Sequence, residues 1–250
     1  MSDFTFNGVS AASLGLCIER YPMIEKPRKR LVSYTIPGRN GVLTQWDGSY
    51  EPVTVRYECW FRTLNKITDI PATAHKIADW LYNSPVGARL EDTYDAGYFR
   101  TATFTGGFDI ENLLNRYGRC VLEFQCSPES WVVGSDILST IPINGGLANN
   151  PTEYPCKPLF RVETTGAMGG TIRWGDSELA LLFGQLDRPL TIYIDCDIME
   201  AWYVEDGSAV SCNHAVSVTD WPVLKPGVTS VSWAGLGISS VSIAPRSWKI

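Results

Sequence analysis

Histidine and cysteine often carry metal or nucleophilic chemistry, and both are thinly spread in this chain of 250 residues. The two histidines, His75 and His214, belong neither to an H-E-x-x-H motif nor to a pair with metal-ligand spacing. The seven cysteines are odd in number and never spaced as C-x-x-C, so they match neither a zinc site nor a disulfide framework. We therefore expect no metal site.

Two groups of carboxylates are the next candidates, because glycoside hydrolysis requires two such groups across a cleft. The segments Glu91-Asp92-Thr93-Tyr94-Asp95 and Asp195-Cys196-Asp197 qualify by number alone, and neither fits the twelve-residue calcium loop. Strand alternation places Asp195 and Asp197 on an outer, solvated face. We expect no catalytic residue, no cofactor and no enzymatic activity; a β-sandwich glycosidase is kept as a rival hypothesis.

The charge balance argues against a protein that mainly coats nucleic acid or an anionic membrane, because 27 acidic residues face 21 basic ones and the net charge is −6. The basic run at residues 26–30 suits electrostatics at an interface at least as well as DNA binding. Residues 166–170 are rich in glycine but lack the Lys-Ser/Thr ending of a phosphate loop. The sequence shows no secretory signal and no segment of membrane-spanning length. We expect synthesis in the cytoplasm, no specific nucleic-acid binding and no membrane insertion.

Apolar and polar residues alternate along most of the chain, which predicts β-strands. The pattern is clearest at residues 53–61, 120–126 and 192–198. Clusters of Gly, Pro, Asn and Asp, such as Asp47-Gly48, predict the turns between strands. Within the strands, cysteines fall on the apolar face and are predicted to be small core residues. These cysteines are Cys59, Cys120, Cys126 and Cys196.

One helix is predicted near residues 71–83, where Pro71 suits a helix start and apolar residues recur at helical spacing. A boundary is predicted near Trp131, beyond which short alternating strands and close turns without a helix indicate a sandwich. The predicted fold is all-β with one helix, in two domains at residues 1–131 and 132–250.

Motifs that match one family occur along nearly the whole chain. The longest of these begins at Tyr34-Thr35, and its second part, Ile36-Pro37-Gly38-Arg39-Asn40-Gly41, is the most specific motif. The others are Phe4-Thr5-Phe6-Asn7-Gly8, Leu14-Gly15-Leu16, Asp47-Gly48-Ser49-Tyr50-Glu51, Trp80-Leu81, Glu91-Asp92-Thr93-Tyr94, Phe124-Gln125-Cys126-Ser127-Pro128, Leu224-Lys225-Pro226-Gly227 and Ser242-Ile243-Ala244-Pro245-Arg246-Ser247-Trp248. On these motifs the chain resembles the distal tail (Dit) proteins of siphophages.

This resemblance implies a tail-tube-like β-sandwich or barrel with a helix at residues 1–131 and a galectin-like β-sandwich at residues 132–250. The first domain would form a homohexameric ring at the distal end of the tail tube, in the virion tail tip, through which DNA passes. Implied partners are the tail tube protein, the tail-associated hub or lysin protein, and receptor-binding or baseplate proteins. The sugar-binding motif of galectins is absent, since His214 is not followed by an Asn-x-Arg arrangement.

A closed ring joins identical subunits through heterologous contacts, and the turn-rich stretch at residues 37–48 is predicted to make them. A lectin-like, carbohydrate-binding adhesin that forms no ring is the alternative hypothesis. The predicted interface residues are Tyr34, Pro37, Gly38, Arg39, Asn40 and Gly41, and a predicted contact surface on the outer domain comprises Trp202, Tyr203 and Trp221.

Overall fold

The protein divides into two compact units, each with its own hydrophobic core. The first comprises Met1–Ser130 together with Ile250, and the second comprises Trp131–Lys249. Within the described ranges, no helix is long and apolar enough to cross a membrane. The computed structural model describes residues 3–23, 25–62, 69–113, 117–166, 169–182 and 188–250.

Antiparallel strands and a helix build the first unit. Its elements are β1 (Phe4–Phe6), β2 (Val9–Ser10), β3 (Leu16–Ile18), β4 (Lys29–Tyr34), β5 (Leu43–Tyr50), β6 (Val53–Arg62), α1 (Asp69–Tyr82), β7 (Ala88–Asp92), β8 (Tyr98–Phe104), β9 (Glu111–Leu113) and β10 (Tyr117–Cys126). The main sheet has the order β2-β1-β7-β8-β10-β6-β3, with β9 beside β10. Strands β4 and β5 form a separate two-stranded sheet.

The long pairing between β6 and β10 is the centre of the main sheet. The two strands stay in antiparallel register from Val53 opposite Cys126 to Arg62 opposite Tyr117. The side chains predicted to face inward are buried along both strands, except that Val55 is half-buried. The predicted strand faces are thus confirmed in this unit.

The helix spans Asp69–Tyr82 and confirms the helix predicted for this part of the chain. Ile77 and Leu81 are buried and lie one turn apart, so the helix turns one apolar stripe toward the sheet. The indole N–H of Trp80 donates a hydrogen bond of 3.0 Å to the carbonyl of Phe6. This bond ties the helix to β1.

Aromatic rings fill the space between helix and sheet. The rings of Phe4 and Tyr57 stack with centroids 4.3 Å apart and planes 4° apart. The Phe6 and Phe124 rings lie 4.8 Å apart in a tilted arrangement. Each such pair adds about 1 kcal/mol to the effect of burial alone, so this cluster gives the unit a rigid base.

Two further sheets build the second unit. Strand β11 (Ser130–Val132) begins at the last residue of the first unit and pairs with β23 (Trp248–Lys249) outside these two sheets. The strands of the two sheets are β12 (Ser139–Ile141), β13 (Gly146–Asn150), β14 (Leu159–Thr164), β15 (Gly170–Trp174), β16 (Ser177–Leu181), β17 (Thr191–Asp195), β18 (Glu200–Glu205), β19 (Ser208–Ser211), β20 (Val216–Val218), β21 (Gly227–Ala234) and β22 (Ile238–Ala244). One sheet has the order β12-β22-β14-β17-β18-β19 and the other β13-β21-β15-β16-β20. A 3-10 turn at Asn213–Ala215 is a short helical feature that the strand pattern does not predict.

One core joins the inner faces of these two sheets. Phe160 and Ile194 of the first sheet are fully buried in the same cluster as Ile172 and Leu179 of the second. Two sheets that share an interior in this way form a sandwich. The predicted fold class, all-β with one helix and a sandwich in the second half, is confirmed.

Gly170, at the end of the predicted glycine-rich run, meets Gly235 at close range. A Cβ atom at Gly235 would lie 2.4 Å from the Cα of Gly170, and Gly235 has a φ of +125°. Only glycine fits such an approach. Glycine is therefore required at Gly235, and a Cβ atom at Gly170 would lie 2.7 Å from the carbonyl oxygen of Ala234.

Burial makes most of the cysteines poor nucleophiles. It raises the pKa of Cys120 to about 11 and that of Cys126 to about 12, and it also raises the pKa values of Cys59 and Cys196. Cys17 is half-buried, unlike the other six, which are buried. The thiolate is the reactive form.

We expect a small thiol reagent at pH 8 to modify Cys17 first in the native protein and all seven cysteines after unfolding. Mass spectrometry counts the labelled cysteines in the native and in the unfolded protein. Cys17→Ser is the matched control, and it should abolish the rapid labelling of the native protein. Rapid native labelling of a second cysteine would contradict the buried assignment.

Candidate subunit interface

The β4–β5 hairpin, here called the arm, forms a two-stranded sheet of its own. Its strands pair with each other, from Leu31 opposite Trp46 to Tyr34 opposite Leu43, and within the described ranges no other strand joins them. At its base the N–H of Glu51 donates to the carbonyl of Arg28 at 2.8 Å. Strand β6 begins two residues later, so the arm continues directly into the central strand of the first unit.

The tip of the arm is a tight turn that its sequence dictates. The N–H of Arg39 donates to the carbonyl of Ile36 at 3.2 Å, and Gly38 between them has a φ of +78°. Proline followed by a glycine with positive φ is the pattern of a type II turn, and Pro37-Gly38 supplies it. All six predicted interface residues lie at this exposed end of the arm.

The Asp47-Gly48 pair, predicted to be a turn, lies inside β5. The register shifts opposite this point, and Gly48 has a φ of +93°. The Asp47 carboxylate accepts hydrogen bonds from the hydroxyl and the N–H of Ser49, at 2.7 and 2.8 Å. An Asp-Gly pair suits a bulge as well as a turn, because both need a left-handed residue and a local cap. The predicted turn is therefore wrong.

Apolar side chains cover both faces of the arm. Leu31 and Trp46 share one face, and Tyr34 and Leu43 share the other, as strand alternation requires. Seven large apolar residues of the arm are between 40% and 61% exposed, a range set by Val32 and Ile36 at the low end and Val42 at the high end. An isolated two-stranded hairpin is at best marginally stable in water, and exposed apolar patches mark interaction sites. The arm has the composition of a surface that another molecule covers.

Positive charge gathers at the base of the arm. The predicted basic run, residues 26–30, precedes and begins β4. The ammonium of Lys29 lies 4.6 Å from the centre of the Trp46 ring, a cation–π contact. The base of the arm is thus a basic region in a chain of net charge −6.

The predicted contact stretch, residues 37–48, contains Val42, Leu43 and Trp46, whereas Leu31 and Val32 of β4 were missed in the sequence. Leu31 and Val32 are neighbours in β4 and place apolar side chains on opposite faces of the strand. Such pairs indicate a strand covered on both sides, and the arm shows this pattern without the covering layers.

The three aromatic residues predicted as one outer contact surface do not share a face. Trp202 stacks with Tyr193, with ring centroids 5.8 Å apart and planes 19° apart. Tyr203, the next residue in β18, packs with Trp221 against the core of the sandwich. Neighbouring strand residues point to opposite faces, so a contact surface here would rest on Trp202 and Tyr193.

Asp195, predicted to be a solvated acid, is held in a salt bridge. The guanidinium of Arg246 donates to both carboxylate oxygens at 2.7 Å, and the Asp195 side chain is only 10% exposed. Burial alone would raise the pKa of Asp195, but the hydrogen bonds from Arg246 and from the N–H of Asp197 outweigh it and hold that pKa below its usual value. The carboxylate is therefore a structural anchor.

The other candidate groups lie apart from one another. His75 and His214 are both exposed. Asp197 pairs with Lys157 at 3.0 Å on the surface. Among the residues that the structure describes, no cluster of three or more His, Cys, Asp or Glu side chains could hold a metal ion.

Asp195→Asn should lower the free energy of unfolding by about 2 kcal/mol at pH 7, because it leaves the partly buried Arg246 unpaired. The folded-state pKa of Asp195 lies below its unfolded value of about 3.9, so the contribution is complete above that pH and is lost as pH falls through the folded-state pKa. Denaturant unfolding from pH 7 to pH 2 measures the difference in unfolding free energy between the variant and the unsubstituted protein, which should shrink at the acid end.

Asp197→Asn, at an exposed pair, is the control and should change the free energy of unfolding by less than about 1 kcal/mol. Equal losses in both variants would contradict the assignment of Asp195 as an anchor.

Solved structures of phage proteins share this architecture. The Dit protein (gp 19.1) of phage SPP1, described as a hub adsorption apparatus in phages that infect Gram-positive bacteria, superposes with a TM-score of 0.70 at 12% identity over 100% of both chains. The chain has the fold of the phage distal tail protein, Dit. Chains from the phage P2 baseplate in its activated conformation, with calcium or with strontium, match at a TM-score of 0.53 and 6% identity over 97% of both chains.

The Dit fold extends through both units, since the match to the SPP1 protein covers the whole chain. No protein-family model matches the sequence, and no curated protein matches it. The likeness is thus carried by the order and pairing of the strands, at an identity too low to be visible in most positions.

Proposed function

We propose that this protein is a structural component of a phage tail tip, in which six copies form a closed ring at the distal end of the tail tube. The Dit fold over the full chain supports a hub role, because the SPP1 protein with this fold is described as a hub. In this role the protein is not an enzyme, and its surface is built for contacts with other proteins.

The arm is the observation that carries the proposal. In a closed ring each subunit offers one surface to its neighbour and receives a different one, so every copy's arm can be covered. Apolar residues on both faces of a two-stranded arm require such cover, since the pair of strands buries little by itself. The proposed interface runs from the predicted tip, Tyr34 to Gly41, down the arm to Leu31 and Trp46.

The remaining partners follow from the place of such a ring. One side of it would meet the tail tube protein, and the other would meet the tail-associated hub protein and receptor-binding or baseplate proteins. DNA would pass through the centre without being held, which suits a chain of net charge −6 better than a basic one. The carboxy-terminal sandwich would face outward, and Trp202 and Tyr193 are a half-buried, stacked aromatic pair in it.

Substitutions on the two faces of the arm test the interface. Leu31→Asp and Leu43→Asp place a charge on opposite faces at residues already exposed in the single subunit, so folding should be retained. Burying an unpaired charge at an interface should weaken self-association at least about 100-fold. Arg39→Ala should weaken it less, through loss of hydrogen bonds at the tip.

Sedimentation velocity over a concentration series measures the association. Val86→Asp is the matched control, because Val86 is an 85% exposed apolar residue of the same unit outside the arm. Circular dichroism and the unfolding midpoint confirm folding in each variant. Association of both arm variants as strong as that of the control would contradict the proposed interface.

A further inference from the structure

A small cavity lies within the first unit beside the end of β7. It provides about 30 Å³ for the centres of water-sized molecules. Polar groups of both charge signs contribute to its wall. Those that matter here are Tyr57, Asp92, Asp95, Arg100 and Ser130.

Asp92 organises one side of this cavity. One of its carboxylate oxygens accepts the N–H groups of Tyr94 and Asp95 at 2.9 and 2.8 Å, which caps the turn between β7 and β8. The other oxygen accepts the hydroxyl of Tyr57 at 2.7 Å. The carboxylate thus joins the turn to the central strand β6.

Ser130 also lines the cavity, and its hydroxyl is unpaired within the described part of the chain. The residue is 0% exposed, and its Oγ has no hydrogen-bond partner among the described residues. Nearly all buried polar atoms in folded proteins are hydrogen-bonded, because a buried unpaired group keeps its full desolvation cost. A small polar ligand in the cavity would remove this cost.

The size and charge of the wall select the ligand. About 10–15 Å³ of such space suffices for one water molecule, so the cavity has room for about two. Asp92 and Asp95 disfavour an anion, and Arg100 disfavours a cation. We propose that this cavity is a binding site for internal water, with Ser130 Oγ as one hydrogen-bond partner and the Tyr57–Asp92 pair in its wall.

Ser130→Ala in the full chain tests the proposal, because the proposal predicts whether the thermal midpoint falls or rises. If water bonds to the hydroxyl, the substitution removes a formed hydrogen bond, and the thermal midpoint should fall by about 3 °C. If the hydroxyl is unpaired, its removal relieves a desolvation cost and the midpoint should rise. An unchanged or raised midpoint overturns the proposal.

A crystal structure of the full chain provides the second readout. It should show an ordered water within hydrogen-bond distance of Ser130 Oγ, and Ser130→Ala should lose or displace it. A Ser130 hydroxyl that bonds directly to protein would overturn the proposal. Ser177→Ala, at an exposed strand position, is the control and should leave the midpoint unchanged.

Discussion

The arm imposes the constraint on which the account of this protein depends. Two strands with apolar side chains on both faces cannot bury that surface against each other. A single copy leaves large side chains such as Leu31, Leu43 and Trp46 in water. The cost of this exposure is removed when another molecule covers the arm, so the sequence of β4 and β5 favours assembly.

The rest of the first unit serves as a base that can transmit such a contact. The arm continues into β6, and β6 is paired along its length with β10. The stacked rings of Phe4 and Tyr57 hold the inner face of β6, while the Tyr57 hydroxyl reaches Asp92 at the β7–β8 turn. The arm therefore continues into a well-packed sheet.

Local pattern was enough to predict much of this fold. Strict alternation predicted the buried faces of β6 and β10, and spacing of Ile77 and Leu81 predicted the helix. These features depend on neighbours within a few residues, and the sandwich followed from the same alternation. The interface at the tip of the arm, drawn from family motifs, is a prediction that assembly experiments must decide.

Features set by distant residues could not be predicted in the same way. Asp195 is anchored by Arg246, 51 positions later in the chain, and strand alternation carries no trace of that pairing. The Asp47-Gly48 pair has the composition of a turn and of a bulge, and only the register of β4 against β5 decides between them. The arm is exposed because, among the described strands, β4 and β5 pair only with each other, and the local sequence does not reveal this.

Electron microscopy of the purified full chain, across a concentration series, tests the central claim most directly. The account predicts closed rings of six subunits with an open centre, and their loss when Leu31→Asp or Leu43→Asp is introduced. Single copies at every concentration, or open filaments of undefined length, would contradict a ring closed through the arm.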